Sequence, residues 1–299
     1  MSTHRGTFSI VAADPAAGEV GCAVQSKYFS VGSVVPWARA GVGAAATQAA
    51  GVAVYGRRAL DELERGAEPD EALELVLADD AGRETRQLGV VTADGRAAAF
   101  TGGECLGWAG HRAGVGFAVQ GNILAGERVV TEMVRAFEET AGMPLVERLV
   151  AALEAGQAAG GDRRGQQSAA VVVERAGAGA ESRERIDRIC DLRVEDHPEP
   201  VAELRRLVGV WTRWDAQRRG HAAYERREYA AAAAELEAVL AGGEDGELLY
   251  NLACYESLAG RDEAALGHLR RALELQPALH EPAASDPDLD PIRGSLGLD

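Results

Sequence analysis

The stretch HRGTFSIVAADP, residues 4–15, alternates apolar and small or hydroxyl side chains. Phe8, Ile10 and Ala12 fall on one face, Thr7, Ser9 and Val11 on the other, and Asp14-Pro15 makes a turn; this is the pattern of a β-strand. It opens on Gly6-Thr7, a small flexible residue followed by a hydroxyl nucleophile. Outward from it, the DPAAGE turn leads into VGCAVQS, and VGAAATQ follows after Pro36. Short strands separated by turns pair most economically as antiparallel neighbours.

Two helices are predicted next, one with Leu60 and Leu63 on a shared face. The other has Pro69 near its start and Ala72, Leu73, Val76 and Leu77 at helical spacing. RQLGVVTADGRAAAFTG then reads as a hairpin about its Asp-Gly turn, and GFAVQGN as a strand breaking at Gly121. Two amphipathic helices follow, carrying Val130, Met133, Val134, Phe137 and Val146, Leu149, Val150, Leu153. SAAVVVER and ICDLRV close the β part. Strands, two helices, strands, two helices, strands is the order of antiparallel sheets enclosed by helical layers, and it is not a parallel βαβ alternation.

From about residue 201 the chain turns to Ala, Glu, Leu and Arg at helical period, which divides it into residues 1–210 and an all-α tail, 211–299. Within the tail, residues 227–240 and 260–273 align without gaps at a spacing of 33 residues, an internal repeat.

With 299 residues the chain can bury a sizeable core. Its net charge of −16 lacks the basic stripe that nucleic acid requires. Half of that charge lies in residues 241–299, with twelve Asp and Glu against four Arg. Cys22, Cys105, Cys190 and Cys254 form no CxxC pair, so neither a zinc ribbon nor a redox motif is indicated. Free buried thiols suit a reducing compartment. The start MSTHRG has no apolar leader and no run approaches the length of a membrane span, so a cytoplasmic protein without membrane contact is expected.

Chemistry has few candidate carriers. An N-terminal Thr is both nucleophile and base, because its own α-amine takes the hydroxyl proton; Thr7 would gain that amine by cleavage after Gly6, and Gly tolerates the strained backbone of an acyl shift. Gln120, Gly121 and Asn122 offer an amide and backbone N–H groups to an oxyanion, or simply a turn. His111 is a lone imidazole with no partner at ligand spacing, so no metal is indicated. The loop AGGDRRGQQSA, residues 159–169, brings Asp162, Arg163, Arg164 and Gln167 to a pocket edge. It lacks the ending of a phosphate loop. QSKYF supplies Ser26 and Lys27, and ATQA supplies Thr47 and Gln48. Asp196 and His197 read as surface residues.

Several phrases together resemble one family: TFSIVAADP, GEVGCAVQSKYFSVGSVVPWARAGVGAAATQA, WAGHR, GFAVQGNIL, AGGDRRGQQSAA and DLRVEDHPEPVAEL. They are similar to the prokaryotic domain of unknown function 1028, assigned to the N-terminal-nucleophile hydrolase-like superfamily, over about residues 7–207. The resemblance implies a four-layer αββα sandwich with the nucleophile opening the first strand, at Thr7, although MSTHRG stands in front of it here. LLYNLACYESLAGRDEAALGHLRRALELQP, residues 248–277, resembles a tetratricopeptide repeat, with Ala253 and Ala265 at a close helix crossing, Gly260 in the turn and Pro277 after the second helix.

The reading that results is an α+β hydrolase-like domain with a small helical-repeat tail. It is expected to attack a C–N bond of a small amide or ureido substrate through Thr7, with Gln120, Gly121 and Asn122 at the oxyanion and Ser26, Gln48, His111, Asp162 and Gln167 lining the pocket, without cofactor or metal. Two alternatives stand beside it: an inactive fold that assembles with a protein partner through its tail, and hydrolysis by Ser26. Open sheet edges and the tail both favour a homo-oligomer.

Overall fold

The structure is a computed structural model that describes residues 6–181 and 186–295. MSTHR, the part of the leader before Gly6, lies outside the described residues. The chain divides into two compact units, Met1–Val208 and Gly209–Asp299.

The first unit is built on two antiparallel sheets. The strands are β1 (Thr7–Asp14), β2 (Glu19–Ser26), β3 (Pro36–Arg39), β4 (Gly43–Ala49), β5 (Arg86–Thr92), β6 (Ala97–Thr101), β7 (Trp108–Gly114), β8 (Phe117–Leu124), β9 (Ser168–Arg175) and β10 (Arg188–Val194). One sheet has the order β10-β9-β2-β1-β8-β7, the other β3-β4-β5-β6. The opening stretch is thus a central strand, with Thr7 opposite Ser26 on β2 and opposite Asn122 on β8. The Asp-Gly turn joins β5 to β6 as expected.

Helices α1 (Val54–Glu64) and α2 (Pro69–Leu77) follow β4; α3 (Arg128–Glu139) and α4 (Leu145–Ala158) follow β8; the short α5 (Ala178–Glu181) follows β9. Period-2 alternation decides which side chains meet which layer. Tyr55, Leu60, Leu73 and Leu77 pack on Ala45, Leu88, Val90 and Ala98, so α1 and α2 cover the outer face of the smaller sheet. On the larger sheet Phe117 meets Phe137 with ring centroids 5.3 Å apart, and the backbone of Gly156 in α4 lies against Met133 and the Phe8 ring. Phe8 and Ile10 are wholly buried there, each contributing about 2 kcal/mol of transfer free energy.

The inner faces of the two sheets share a core. Val11, Ala13, Val20, Cys22 and Val24 meet Ala44, Ala46 and Val91. Toward Thr7 this interior changes from apolar to polar: Ser9, Gln48, Gln87, Gln120 and Asn122 are all buried.

One sequence expectation is corrected, and two strands are added. GFAVQGN does not break at Gly121; β8 runs through it to Leu124. A Cβ at Gly121 would lie 2.4 Å from Leu124 Cδ1, so the glycine is there for packing rather than for a turn. PWAR (β3) and WAGHRAG (β7) are strands that the periodicity did not single out. The four cysteines are free thiols, three of them buried and Cys105 partly so.

The second unit is helical. Helix α6 (Pro200–Glu225) runs across the division between the units and is followed by α7 (Tyr229–Leu240), α8 (Gly246–Leu258), α9 (Asp262–Leu275) and α10 (His280–Ser285). The 33-residue spacing corresponds to α7 and α9, which both pack on α8 through Ala232, Leu236, Ala253, Ala265 and Leu269. Ala253 and Ala265 are fully buried, and Gly260 has φ +73° in the turn between α8 and α9. Among the described residues no helix is long and apolar enough to cross a membrane.

Candidate active site around Thr7

Thr7 opens β1 at the polar end of the sheet interior and is 2% exposed. Its Oγ1 lies 3.0 Å from Ser26 Oγ, the neighbour that the β1–β2 register puts opposite it. Ser26 in turn donates to the carbonyl oxygen of Gly6 at 2.6 Å, so its proton is committed and Thr7 is the donor of the pair. A second donor, Arg164 Nη2, reaches the same carbonyl at 2.7 Å. The carbonyl of the Gly6–Thr7 bond is therefore gripped by a hydroxyl and a guanidinium, with the Thr7 hydroxyl beside it. That is the layout of an oxyanion site, where donors face the oxygen on which charge develops.

Asp162 completes the group, with a side chain that is 0% exposed. Its carboxylate accepts from Lys27 N at 3.1 Å, Arg164 N at 2.9 Å, and Arg164 Nε and Nη2 at 3.1 and 2.7 Å. The charge is thus paired and hydrogen-bonded, as a buried carboxylate must be. It presses on the Gly6 methylene: a Cβ there would lie 2.6 Å from Asp162 Oδ1. Among the described residues Thr7 Oγ1 meets Ser26 alone; no imidazole or amine side chain reaches it. A base for Thr7 would have to be its own α-amine, which is an amide while Gly6 remains attached.

Thr7 and Ser26 border a cleft of about 40 Å³ walled by Tyr28, Val31, Val34, Val35, Thr47, Gln48 and Ala49. That is room for about two or three waters, hence for a small head group. A second cleft of about 60 Å³ lies beyond Ala49, lined by Asn122, Ile123, Cys105 and Leu106. Cys105 is no competing nucleophile: burial pushes its thiol up, and Sγ donates to Arg86 O at 3.3 Å.

The loops here carry backbone strain. Ser30, Ala49 and Ile123 have φ of +56°, +66° and +52°, in the region that favours glycine. Each costs on the order of 1–2 kcal/mol. Ala49 ends β4 and Ile123 lies near the end of β8, so two of the three border the clefts, where such outliers tend to gather.

The expected site residues divide into two groups. Ser26 and Gln48 are brought to Thr7 and its cleft, and Asp162 to the neighbouring Gly6. Gln120, Gly121 and Asn122 are committed elsewhere: Gln120 Nε2 donates to Ser9 Oγ at 2.6 Å, Asn122 Nδ2 to Gln87 Oε1 at 2.9 Å, and Gly121 O accepts from Gln87 Nε2 at 2.8 Å. Asn122 and Gly121 thereby tie their sheet to Gln87 of the other, and Gln120 bonds Ser9 within its own sheet, while the donors on the Gly6 carbonyl are Ser26 and Arg164. Gln48 is the hub of that network, accepting from Ser9 Oγ at 2.6 Å and donating to Gln87 Oε1 at 2.9 Å. His111 sits on the edge strand β7, exposed, with Nδ1 2.8 Å from Thr101 Oγ1. Gln167 directs its side chain to Asp196 at 3.0 Å, while its N–H donates to Ser26 O. Sequence reasoning missed Gln87, which reads as one polar residue in a strand, and the Gly6 carbonyl as the partner of Arg164.

These features define a mixed α+β protein of two antiparallel sheets with a buried hydroxyl pair at one end of the central strand. Residues 7–204 match the family of unknown function DUF1028, and the chain belongs to that family. The crystal structure of protein SPO2555 from Silicibacter pomeroyi, assigned to the same family, is 32% identical in sequence. The match covers 69% of this chain and 89% of that one, with a TM-score of 0.62. No curated protein matches the chain.

Proposed function

We propose that the protein is an amidohydrolase of the N-terminal-nucleophile type, an αββα sandwich in which Thr7 attacks the C–N bond of a small amide or ureido compound. The observation that carries the reading is the grip of Ser26 Oγ and Arg164 Nη2 on the Gly6 carbonyl beside the Thr7 hydroxyl.

The same geometry supports release of Thr7 by the chain itself. Thr7 Oγ1 adds to the Gly6 carbonyl carbon; its proton passes to Ser26 Oγ while the Ser26 proton moves to the carbonyl oxygen, giving a neutral adduct. The C–N bond then breaks as that proton goes to the Thr7 nitrogen, leaving an ester of Gly6 on Oγ1. Water hydrolyses the ester, and residues 1–6 depart with a Gly6 carboxylate. The freed amine is the base that Thr7 otherwise lacks. In turnover the amine takes the hydroxyl proton, Oγ1 attacks the substrate carbonyl held by Ser26 and Arg164, the proton goes to the departing nitrogen, and water clears the acyl group.

The helical tail, with its paired repeat, is read as a tetratricopeptide-like unit that recruits a protein partner or a second copy. An open cleft lined by Trp214, Gln217, Arg218, His221, Asn251 and Tyr255 supports that role.

Ammonia release from small amides and ureas, measured with the purified chain, tests the assignment. It is expected in the wild type and lost in Thr7→Ala. Activity that survives Thr7→Ala and disappears in Ser26→Ala would move the nucleophile to Ser26; no release from any compound would favour a binding protein.

A further inference from the structure

Resting on Thr7 as the nucleophile, we propose that the cradle now filled by the Gly6 carbonyl is shaped for a carbamoyl group, so that the substrate is a terminal ureido compound, R–NH–CO–NH2. Once residues 1–6 leave, a substrate carbonyl can bind between Ser26 Oγ and Arg164 Nη2, set back from the Gly6 position by the Thr7 nitrogen that stays. The substituent on its retained side then points into the place of the Gly6 methylene, and two features of that place decide what fits.

The first is space. A single added carbon would lie 2.6 and 2.7 Å from the two Asp162 oxygens, well inside contact distance. Asp162 cannot easily retreat, because Lys27 N and three nitrogens of Arg164 hold it. Acyl groups branched at the α carbon are disfavoured.

The second is charge. The wall of this place is a carboxylate with no solvent exposure. A methyl group set against it would cover a buried charge and give nothing back. The NH2 of a carbamoyl group is as small as a methyl and has an N–H to donate, a charge-assisted bond stronger than a neutral one. Arg164 spans both positions, with Nη2 bonded to the Gly6 oxygen and to Asp162 Oδ2. One guanidinium thus aligns the carbonyl acceptor with the carboxylate that receives the N–H.

The reaction balances without a further reagent. Thr7 Oγ1 attacks the carbamoyl carbon, its proton moves to the Thr7 amine and from there to the departing nitrogen, and R–NH2 leaves. The carbamoyl ester on Oγ1 is hydrolysed by water to carbamic acid, which decomposes to ammonia and carbon dioxide, and the hydroxyl is restored.

The test uses chain whose mass shows loss of residues 1–6, with para-nitrophenyl carbamate and para-nitrophenyl acetate as probes. They share a leaving group and differ only in NH2 for CH3. Nitrophenolate release over many turnovers, each rate divided by its rate in buffer, is expected to favour the carbamate by about ten-fold or more, the worth of one charged hydrogen bond. Asp162→Asn is expected to lower both rates, because Arg164 loses the carboxylate that holds it, and to lower the carbamate-to-acetate ratio about ten-fold. Equal normalised rates in the wild type, or a preference for acetate, would overturn the inference whether or not the variant folds, and leave Thr7 as nucleophile. Turnover of neither ester would remove the Thr7 reading and this inference with it.

Discussion

Replacing Gly6 by Ala adds one methyl group at the point where the account is tightest. The new carbon would lie 2.6 Å from Asp162 Oδ1, 2.7 Å from Oδ2 and 2.8 Å from Cγ. Ordinary contact begins near 3.4 Å, so the deficit is about 0.8 Å. The φ of Gly6 is not in the left-handed region, so space alone opposes the change. If Asp162 yields, its bonds to Lys27 N and Arg164 lengthen; if Gly6 yields, its carbonyl leaves Ser26 and Arg164. Overpacking of this kind costs about 1–3 kcal/mol. Most of that falls on the cleavage transition state, where the cradle must hold the developing charge, and slows cleavage by roughly ten- to a hundred-fold. Intact mass followed over time after rapid purification reads the rate directly. Cleavage of Gly6→Ala at the wild-type rate would refute the claim that Asp162 and the carbonyl cradle act as one rigid unit.

Three further outcomes are expected. Asp80 is held at a pKa of about 2 by its hydrogen bond to Arg86, against an ordinary 3.8, and its side chain is only 9% exposed. Its depressed value contributes about 2 kcal/mol that is fully present above pH 4 and lost as pH falls toward 2. In urea unfolding, Asp80→Asn should lose that amount at neutral pH and lack this acid limb. Arg86 also donates to Ala50 O, so the same variant should loosen the corner after Ala49. Gln87→Leu would strand Asn122 Nδ2 in the interior and take one partner each from Gly121 O and from Gln48 Nε2, which keeps Thr7 O and Gln120 O. A loss of about 3 kcal/mol and a melting temperature about 10 °C lower are expected. Ala49→Gly relieves a φ of +66° and should raise stability by about 1 kcal/mol in thermal unfolding, with little change in cleavage rate.

The larger features of the first unit were legible because each rests on a local rule. The alternation of Phe8, Ile10 and Ala12 against Thr7, Ser9 and Val11 is that of a strand buried on both faces, and the Asp-Gly pair sets the β5–β6 turn. β3 and β7 escaped because PWAR is short and half-buried and WAGHRAG is an edge strand without apolar alternation. Ser26 and Asp162 were visible as polar residues at element ends, but what they do depends on distance in space. The Ser26–Thr7 contact arises from a register 19 residues apart, and the Arg164–Gly6 contact spans 158. Gln120 and Asn122 misled for the converse reason. Their spacing about a glycine suits an oxyanion loop, whereas on the inner face of β8 Asn122 donates to Gln87 of the other sheet and Gln120 donates to Ser9 with its Oε1 against Gly89.

The central claim is that the Gly6–Thr7 bond is broken by the chain itself to expose Thr7. Intact mass of purified wild type and of Thr7→Ala, after equal incubation in protease-free buffer, tests it most directly. Loss of residues 1–6 from the wild type, in first-order fashion independent of protein concentration, is expected, together with a full-length Thr7→Ala. A wild type that stays full-length, or a Thr7→Ala that loses the same six residues, would contradict it.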